Sequence, residues 1–277
     1  MTKSGNSNGR KGTTMKTRNH RACFAGRKLP LFLAMACGIL GGLESAYGVE
    51  RVWAKHFPLA PGGCVSVENV HGSVLVEGWD RAEVEATVAL RSSGSADQLD
   101  RVEVAVEAGA DCLAFHTLYP GDRNEPVRVD YRLRVPRQVR LQQLSTLQGD
   151  IAVRDVEGAV NARSLHGDIA EVNVAGSVEA RALTGNILVS MRRLRDPRSP
   201  VNLETLNGNV DLWLPAQANA DLELTTVAGK ILGDYPFQAS SVPGDSTRRT
   251  RLGEGGVPVE LRTVRGNIRV GQREEGL

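Results

Sequence analysis

Five glycines recur at intervals of nine residues in the middle of this 277-residue chain, and this spacing limits the fold more than any other feature. Each has Val, Leu or Ile two residues before it and two residues after it, and the same unit occurs nine times in the whole sequence. Self-similarity at a fixed period is typical of a stacked architecture in which each unit packs on its neighbours. The five are Gly149, Gly158, Gly167, Gly176 and Gly185.

Two kinds of unit alternate along this run. Leu-x-Gly-Asp/Asn-Ile occurs at Gly149, Gly167 and Gly185, whereas Val-x-Gly-Ala/Ser-Val occurs at Gly158 and Gly176, so the full structural period covers two glycine units. Apolar and polar residues alternate around each glycine, which indicates short strands joined by Gly and Asp/Asn turns. We predict an all-β solenoid of stacked parallel strands, roughly 4.8 Å apart. An antiparallel β-sandwich is the alternative, because one glycine unit also suits one strand and one tight turn.

The apolar residues on either side of each glycine share one strand parity. The sequence therefore predicts that both of them, and the glycine between them, face the core. Outside the regular run the pattern is looser. Residues 49–140 carry longer alternating strands and are predicted to form a β lead-in, and residues 141–277 form the β-repeat region of the same domain.

Residues 1–48 have the pattern of an export signal. A basic segment precedes the uncharged stretch Leu29–Leu43, and Ala46-Tyr47-Gly48 offers a small-x-small cleavage site. We predict a signal peptide over residues 1–48 and a mature domain over residues 49–277, located in the periplasm, on the outer surface or secreted. The uncharged stretch is shorter than the about 20 residues of a membrane span. Met15 is an alternative start, and Cys37 an alternative lipid-attachment site.

Removing this leader changes the charge of the chain. It holds eight of the 34 basic residues and one of the 32 acidic ones, so the mature chain carries 26 basic and 31 acidic residues. Nucleic-acid binding needs a clustered positive surface. The sequence therefore predicts no nucleic-acid partner and no transmembrane span in the mature chain.

Only two of the four cysteines, Cys64 and Cys112, lie beyond the leader. In an oxidising compartment such a pair can form one disulfide that closes a loop of roughly 50 residues. Two buried free thiols are the alternative.

Several segments together resemble the bacterial "putative adhesin" family of exported β-strand-repeat proteins. They are residues 65–80, 131–136 and 261–270, together with the Gly-Asp/Asn-Ile units. The resemblance covers essentially the whole mature chain. It implies a β-solenoid-like domain outside the cytoplasm and brings no catalytic residues.

A row of oxygen-bearing side chains is expected along one edge of the solenoid. Asp150, Asp168 and Asn186 each follow a repeat glycine and are separated by one full period. Hard cations prefer oxygen ligands, so these residues are candidates for calcium. The alternative is that they satisfy the backbone amides of their turns. No cofactor is predicted.

A row of arginines is expected in the same way. Arg163 and Arg181 are also separated by one full period, and Arg154 has the corresponding offset in a neighbouring unit. Such a row could bind an anionic polysaccharide or a lipid headgroup through bidentate hydrogen bonds. The alternative is a solvated edge in which the arginines pair with acidic neighbours such as Glu179.

Catalytic motifs are missing from the sequence. The histidines are scattered, no Gly-x-Ser-x-Gly elbow occurs, and the three tryptophans are far apart. We predict that the protein is not an enzyme but an adhesin or cell-envelope binding module, whose partner is an envelope polysaccharide or an envelope protein. The alternative is a structural or sensory scaffold that binds a protein partner, and a polysaccharide-processing enzyme is less favoured.

Overall fold

The computed structural model describes residues 48–119, 127–194, 196–239 and 246–273, so the predicted export signal lies outside the described residues except for Gly48. The strands form two sheets. The first sheet contains, in spatial order, β1 (Val49–Pro58), β4 (Glu83–Ser92), β7 (Val127–Pro136), β3 (Val74–Trp79), β9 (Ile151–Arg154), β11 (Ile169–Ala175), β13 (Ile187–Arg193), β15 (Val210–Leu214), β21 (Ile268–Gln272) and β17 (Ile231–Gly233).

The second sheet faces the first across the core. In spatial order it contains β18 (Gln238–Ala239), β19 (Thr247–Leu252), β16 (Ala220–Ala228), β20 (Val257–Arg265), β14 (Val201–Asn207), β12 (Val178–Thr184), β10 (Val160–His166), β8 (Arg140–Gln148), β2 (Cys64–Glu68), β6 (Cys112–Leu118) and β5 (Glu103–Ala108). A four-residue helix, α1 (Ala96–Leu99), follows β4.

Each coil of the solenoid consists of one strand from the second sheet and the next strand from the first. In the centre, β8–β9, β10–β11, β12–β13 and β14–β15 stack in chain order and pair in parallel; for example, Val160 lies opposite Val178 and Ile169 opposite Ile187. The predicted solenoid is therefore confirmed. Among the described strands, antiparallel pairing is confined to the two ends of the stack.

The ends of the stack do not follow chain order. The β2–β3 coil lies between β6–β7 and β8–β9, and the β20–β21 coil lies between β14–β15 and β16–β17. Residues 49–140 therefore contribute two coils of the solenoid as well as capping strands, which the sequence did not predict. The capping strands cover the edges of the inner strands, which would otherwise be free to pair with other chains.

The core is made of columns of equivalent residues, one from each coil. One such column lies two positions after the glycines at which the chain passes from the second sheet to the first. Its members are almost completely buried: Val74, Ile151, Ile169, Ile187, Val210 and Ile268. Aliphatic side chains stacked in register exclude water along the length of the stack, which is the main source of stability in such a fold.

Two unlike corners explain why the full period covers two glycine units. We call them the leucine corner, which leads from the second sheet to the first, and the valine corner, which leads back. At the leucine corner a Cβ on Gly185 would overlap the carbonyl oxygen of Gly167 in the adjacent coil, and the equivalent glycines stack in the same way. Only glycine allows the coils to approach this closely.

The predicted inward direction of the flanking residues is correct on both sides of the valine corner. At the leucine corner it is correct for the residue after the glycine and wrong for the residue before it. Val156 and Val160 are both buried, whereas Leu165 is 37% exposed. The last inward residue before the leucine corner is Ser164 and the next is Ile169, five positions later. The period of two is therefore broken at this corner, and the leucine before it points outward.

Candidate functional site

The outer face of the second sheet carries a row of apolar side chains that runs along the stack and is exposed in five of its six coils. We call it the leucine row. Its members precede the leucine corner by two residues in six successive coils, and Leu183 and Leu206 are 38% and 41% exposed. The strands that carry them pair in parallel and in register. In stack order the leucine row is Leu147, Leu165, Leu183, Leu206, Val264 and Val227.

A shallow groove of about 520 Å³ follows the leucine row. Leu165, Leu183 and Leu206 line it together with Arg163 and Arg181. The groove therefore combines apolar and charged side chains. None of the described residues that line it is aromatic.

The structure brings two of the three predicted arginines together on this face. Arg163 in β10 lies opposite Arg181 in β12. Both contact Glu179, at 3.2 Å and 2.7 Å, and Arg181 also lies 3.4 Å from Glu204. Arg154 lies in β9 of the first sheet and is not part of this row.

These ion pairs leave the arginines available to a ligand. The arginine side chains are about half exposed, and exposed ion pairs contribute at most about 1 kcal/mol. A carboxylate on a binding partner can therefore replace Glu179 at little cost. The face has mixed charge rather than a net positive surface.

Side-chain oxygens of successive coils form a ladder of hydrogen bonds at the leucine corner, which we call the Asp/Asn ladder. Asp150 Oδ1 accepts the backbone N–H of Asp168 at 2.8 Å, and Asp168 Oδ1 accepts that of Asn186 at 2.7 Å. The ladder continues from Asn186 to Asn209, from Asn209 to Asn267 and from Asn267 to Lys230. These side chains satisfy turn amides of the neighbouring coil, as the turn-chemistry alternative requires.

Calcium binding by Asp150, Asp168 and Asn186 stays a prediction. Within the described parts of the chain, no group of three or more His, Cys, Asp or Glu side chains is placed to hold a metal ion.

A second ladder, which we call the hydroxyl ladder, holds the leucine corner from the core side. Buried hydroxyls donate to the carbonyl oxygen of the corner glycine in the adjacent coil at 2.9 to 3.1 Å. Both the amides and the carbonyls of the corner backbone beneath the leucine row are therefore hydrogen-bonded. The donors are Thr146, Ser164, Thr205, Thr263 and Thr226.

Cys64 and Cys112 lie opposite each other on the paired strands β2 and β6, with their Cα atoms 4.5 Å apart, and are joined as a disulfide. The bond links two coils that are neighbours in space but 48 residues apart in sequence. It therefore joins the β2–β3 coil, which does not stack in chain order, to the β6–β7 coil beside it.

One buried acid stands out in the core. Glu171 in β11 is fully buried between Val153 and Val189 of the adjacent strands. Neither carboxyl oxygen has a hydrogen-bond partner among the described residues. Burial raises the pKa of Glu171 to about 8, because the charged form is poorly solvated there. Sequence reasoning missed this residue.

No helix in the described residues is long and apolar enough to cross a membrane.

The pattern of coils matches a known family. A match to the family described as Toastrack DUF4097 extends over residues 64–271, from the first residue of β2 into β21. The chain belongs to the Toastrack family. The Toastrack match includes every coil and the whole leucine row, and leaves out the capping strand β1.

Two solved structures that match most of this Toastrack protein have low sequence identity to it. A "putative cell adhesion protein" from Clostridium sporogenes is 13% identical, with a TM-score of 0.45, and covers 80% of this chain and 100% of its own. A "putative adhesin" from Bacteroides fragilis is 10% identical, with a TM-score of 0.43, and covers 79% of this chain and 97% of its own. No curated protein matches the chain.

Proposed function

We propose that this Toastrack protein is an exported, non-enzymatic module of the cell envelope that binds its ligand on the outer face of the second sheet. The leucine row carries the proposal. Apolar side chains recur there in six successive coils, outside the core and between two rows that are mostly polar. A contiguous apolar patch with a polar rim is typical of an interaction surface.

The hydrogen bonding of this face supports the proposal. The hydroxyl and Asp/Asn ladders hold the leucine corner on both sides of the row. A surface that is already ordered loses little conformational entropy when it binds. Binding by the leucine row therefore needs no rearrangement of the backbone.

The chemistry of the groove favours a protein ligand over a polysaccharide. Sugars are commonly bound by stacking on aromatic rings, and none of the described lining residues of the groove is aromatic. An apolar row with arginine and glutamate beside it suits a protein surface with a matching apolar row and opposite charges. The scaffold hypothesis is thus preferred to polysaccharide adhesion.

Export is supported by the sequence pattern of residues 1–48 and by the bonded pair Cys64 and Cys112. Disulfides persist in oxidising compartments and are rare in the cytosol. The periplasm, the outer surface and the extracellular medium are all oxidising, and we propose that the protein works in one of them.

A binding array tests the proposal. The exported protein, purified from cells that express the full-length chain, is applied to immobilised envelope polysaccharides and envelope proteins. We expect saturable binding to a protein that is lost in Leu183→Asp/Leu206→Asp and kept in Val52→Asp. Val52 is a matched control because it is an exposed apolar residue on the first sheet. Binding that survives Leu183→Asp/Leu206→Asp would place the ligand elsewhere.

A further inference from the structure

The spacing of the leucine row limits what can cover it. Its members are one per coil, so they are separated by the strand spacing of about 4.8 Å. An α-helix offers one apolar residue per turn of about 5.4 Å and loses register along six coils. Another parallel β-solenoid has the same spacing and stays in register over the whole row.

Opposite charges flank the row in two successive coils. Arg163 and Arg181 precede Leu165 and Leu183 by two residues, beside Glu179 and Glu204. Asp150 and Asp168 follow Leu147 and Leu165 by three residues, at the leucine corner. Asp150 Oδ1 contacts the N–H of Asp168, so its carboxylate is at the level of the β10–β11 coil, which also contains Arg163. Asp168 likewise reaches the β12–β13 coil, which contains Arg181.

These levels make the face complementary to itself. If two copies face each other across a twofold axis parallel to the stack, each leucine meets the same leucine of the partner. The axis exchanges the two sides of the row, so Arg163 faces Asp150 of the partner and Arg181 faces Asp168 of the partner. Each pair occurs twice because the interface is isologous.

We infer that the ligand of this face is a second copy of the same chain, docked leucine row to leucine row. This inference rests on the proposed function and names its partner. The apolar rows exclude water between the copies, and the four arginine–aspartate pairs set the register and suppress other alignments.

Sedimentation equilibrium of the exported protein tests the inference. We expect a reversible dimer for the wild type and for Val52→Asp, and a monomer for Leu183→Asp. A wild type that stays monomeric up to its highest soluble concentration would overturn the inference. So would a dimer that persists unchanged in Leu183→Asp.

Two charge variants provide a sharper test. Arg163→Glu/Arg181→Glu and Asp150→Lys/Asp168→Lys each place like charges opposite one another, so each should associate about tenfold or more weakly than the wild type. An equimolar mixture restores opposite charges on both sides of the interface. We expect the mixture to form a heterodimer nearly as tight as the wild-type dimer. Failure of the mixture to associate would overturn the proposed docking.

Folding of each variant is checked by its thermal melt. Asp150→Lys/Asp168→Lys removes two acceptors of the Asp/Asn ladder, because lysine cannot accept a hydrogen bond, so its folding needs this check. If Asp150→Lys/Asp168→Lys does not fold, Asp150→Asn/Asp168→Asn replaces it. In a mixture with Arg163→Glu/Arg181→Glu, the arginines of the asparagine variant still face the aspartates of the glutamate variant, and no like charges face each other. The mixture must therefore associate more tightly than Arg163→Glu/Arg181→Glu alone.

The same variants separate this inference from the proposed function. A monomeric wild type that binds an envelope protein on the array, with binding lost in Leu183→Asp, would overturn the second copy as ligand and leave the proposed function in place. In the opposite outcome, Leu183→Asp disrupts the wild-type dimer but leaves the array signal unchanged. The second copy would then be the ligand of the leucine row, and the envelope ligands on the array would bind elsewhere.

Discussion

Asp168 and Asn186 are 18 residues apart, and Asp168 Oδ1 accepts the backbone N–H of Asn186 at 2.7 Å. This contact links adjacent coils at the leucine corner and gives the acidic position a structural role. Asp168→Ala leaves that amide without its acceptor and should lower the free energy of unfolding by about 1 kcal/mol. Asp168→Asn keeps an oxygen acceptor and should be close to neutral. Urea denaturation measures both, and equal losses in the two variants would contradict the ladder.

The hydroxyl ladder has one gap. Ser164 donates to Gly149 at 3.0 Å, but the residue in register with it in the next coil is Ala182, which has no hydroxyl. Ala182→Ser should supply a donor for the carbonyl of Gly167 and stabilise the protein by about 0.5 to 1 kcal/mol. Ser164→Ala is the matched control and should destabilise it by a similar amount. An Ala182→Ser variant with a lower unfolding midpoint than the wild type would refute this prediction.

Glu171 makes stability depend on pH. The pKa of its carboxyl is about 8 in the folded protein, against 4.5 for an ordinary glutamate, so the folded state holds the proton more tightly. The associated stability is fully present below pH 4.5 and is lost as the pH rises through 8, at up to about 1.4 kcal/mol per pH unit. The unfolding free energy should therefore fall between pH 5 and pH 8.

Two substitutions isolate this effect. Glu171→Val matches Val153 and Val189 in the same core column and should remove this part of the pH dependence and raise stability at pH 8. Glu171→Gln should also remove the pH dependence, but its polar side chain packs less well in the core column than valine does. The measurement is the urea midpoint at pH 5 and pH 8 for all three proteins. The same pH slope in the wild type and Glu171→Val would show that another group is responsible.

The disulfide holds an out-of-order coil in place. Cys64 and Cys112 are 48 residues apart in sequence, and closing a loop of this length stabilises a fold by up to about 4 kcal/mol in the chain-entropy model. Cys64→Ser/Cys112→Ser should lower the unfolding free energy by that order without changing the leucine row. Free thiols at Cys64 and Cys112 in the native protein, measured by mass after alkylation, would contradict the bond.

The sequence predicted the repeating part of the fold because each coil obeys the same local rules. The two kinds of glycine unit correspond to the two corners, and Ile151 and Ile187 fall in the same core column as expected. The stacking order at the ends was not predictable, because strands of similar composition can pair with either neighbour. The choice between β20 and β16 as the partner of β14 is made by tertiary packing.

The binding face was missed for a more specific reason. A period of two, continued through each glycine, placed Leu165 and Leu183 in the core, whereas the leucine corner adds a residue and turns them outward. Arg163 and Arg181 were identified because both lie in the second sheet and are separated by the full period. Arg154 was grouped with them by its offset from a glycine at the other kind of corner, so it belongs to the other sheet.

Glu171 could have been found from the sequence. Ile169-Ala170-Glu171 aligns with Ile151-Ala152-Val153 one period earlier, so a charged residue stands where the core column requires an aliphatic one. Its complete burial without a partner was not predictable from alternation alone.

Accessibility of the leucine row in living cells tests the central claim most directly. Leu183→Cys and Val52→Cys each add one free thiol to residues 49–277, in which Cys64 and Cys112 are bonded. The rate of N-ethylmaleimide labelling, read from the mass of the protein, is compared between intact cells and dilute purified protein. If the leucine row is the binding face, Leu183→Cys reacts much more slowly in cells than in dilute solution, and Val52→Cys reacts equally in both. Equal rates for Leu183→Cys in cells and in solution would contradict the account.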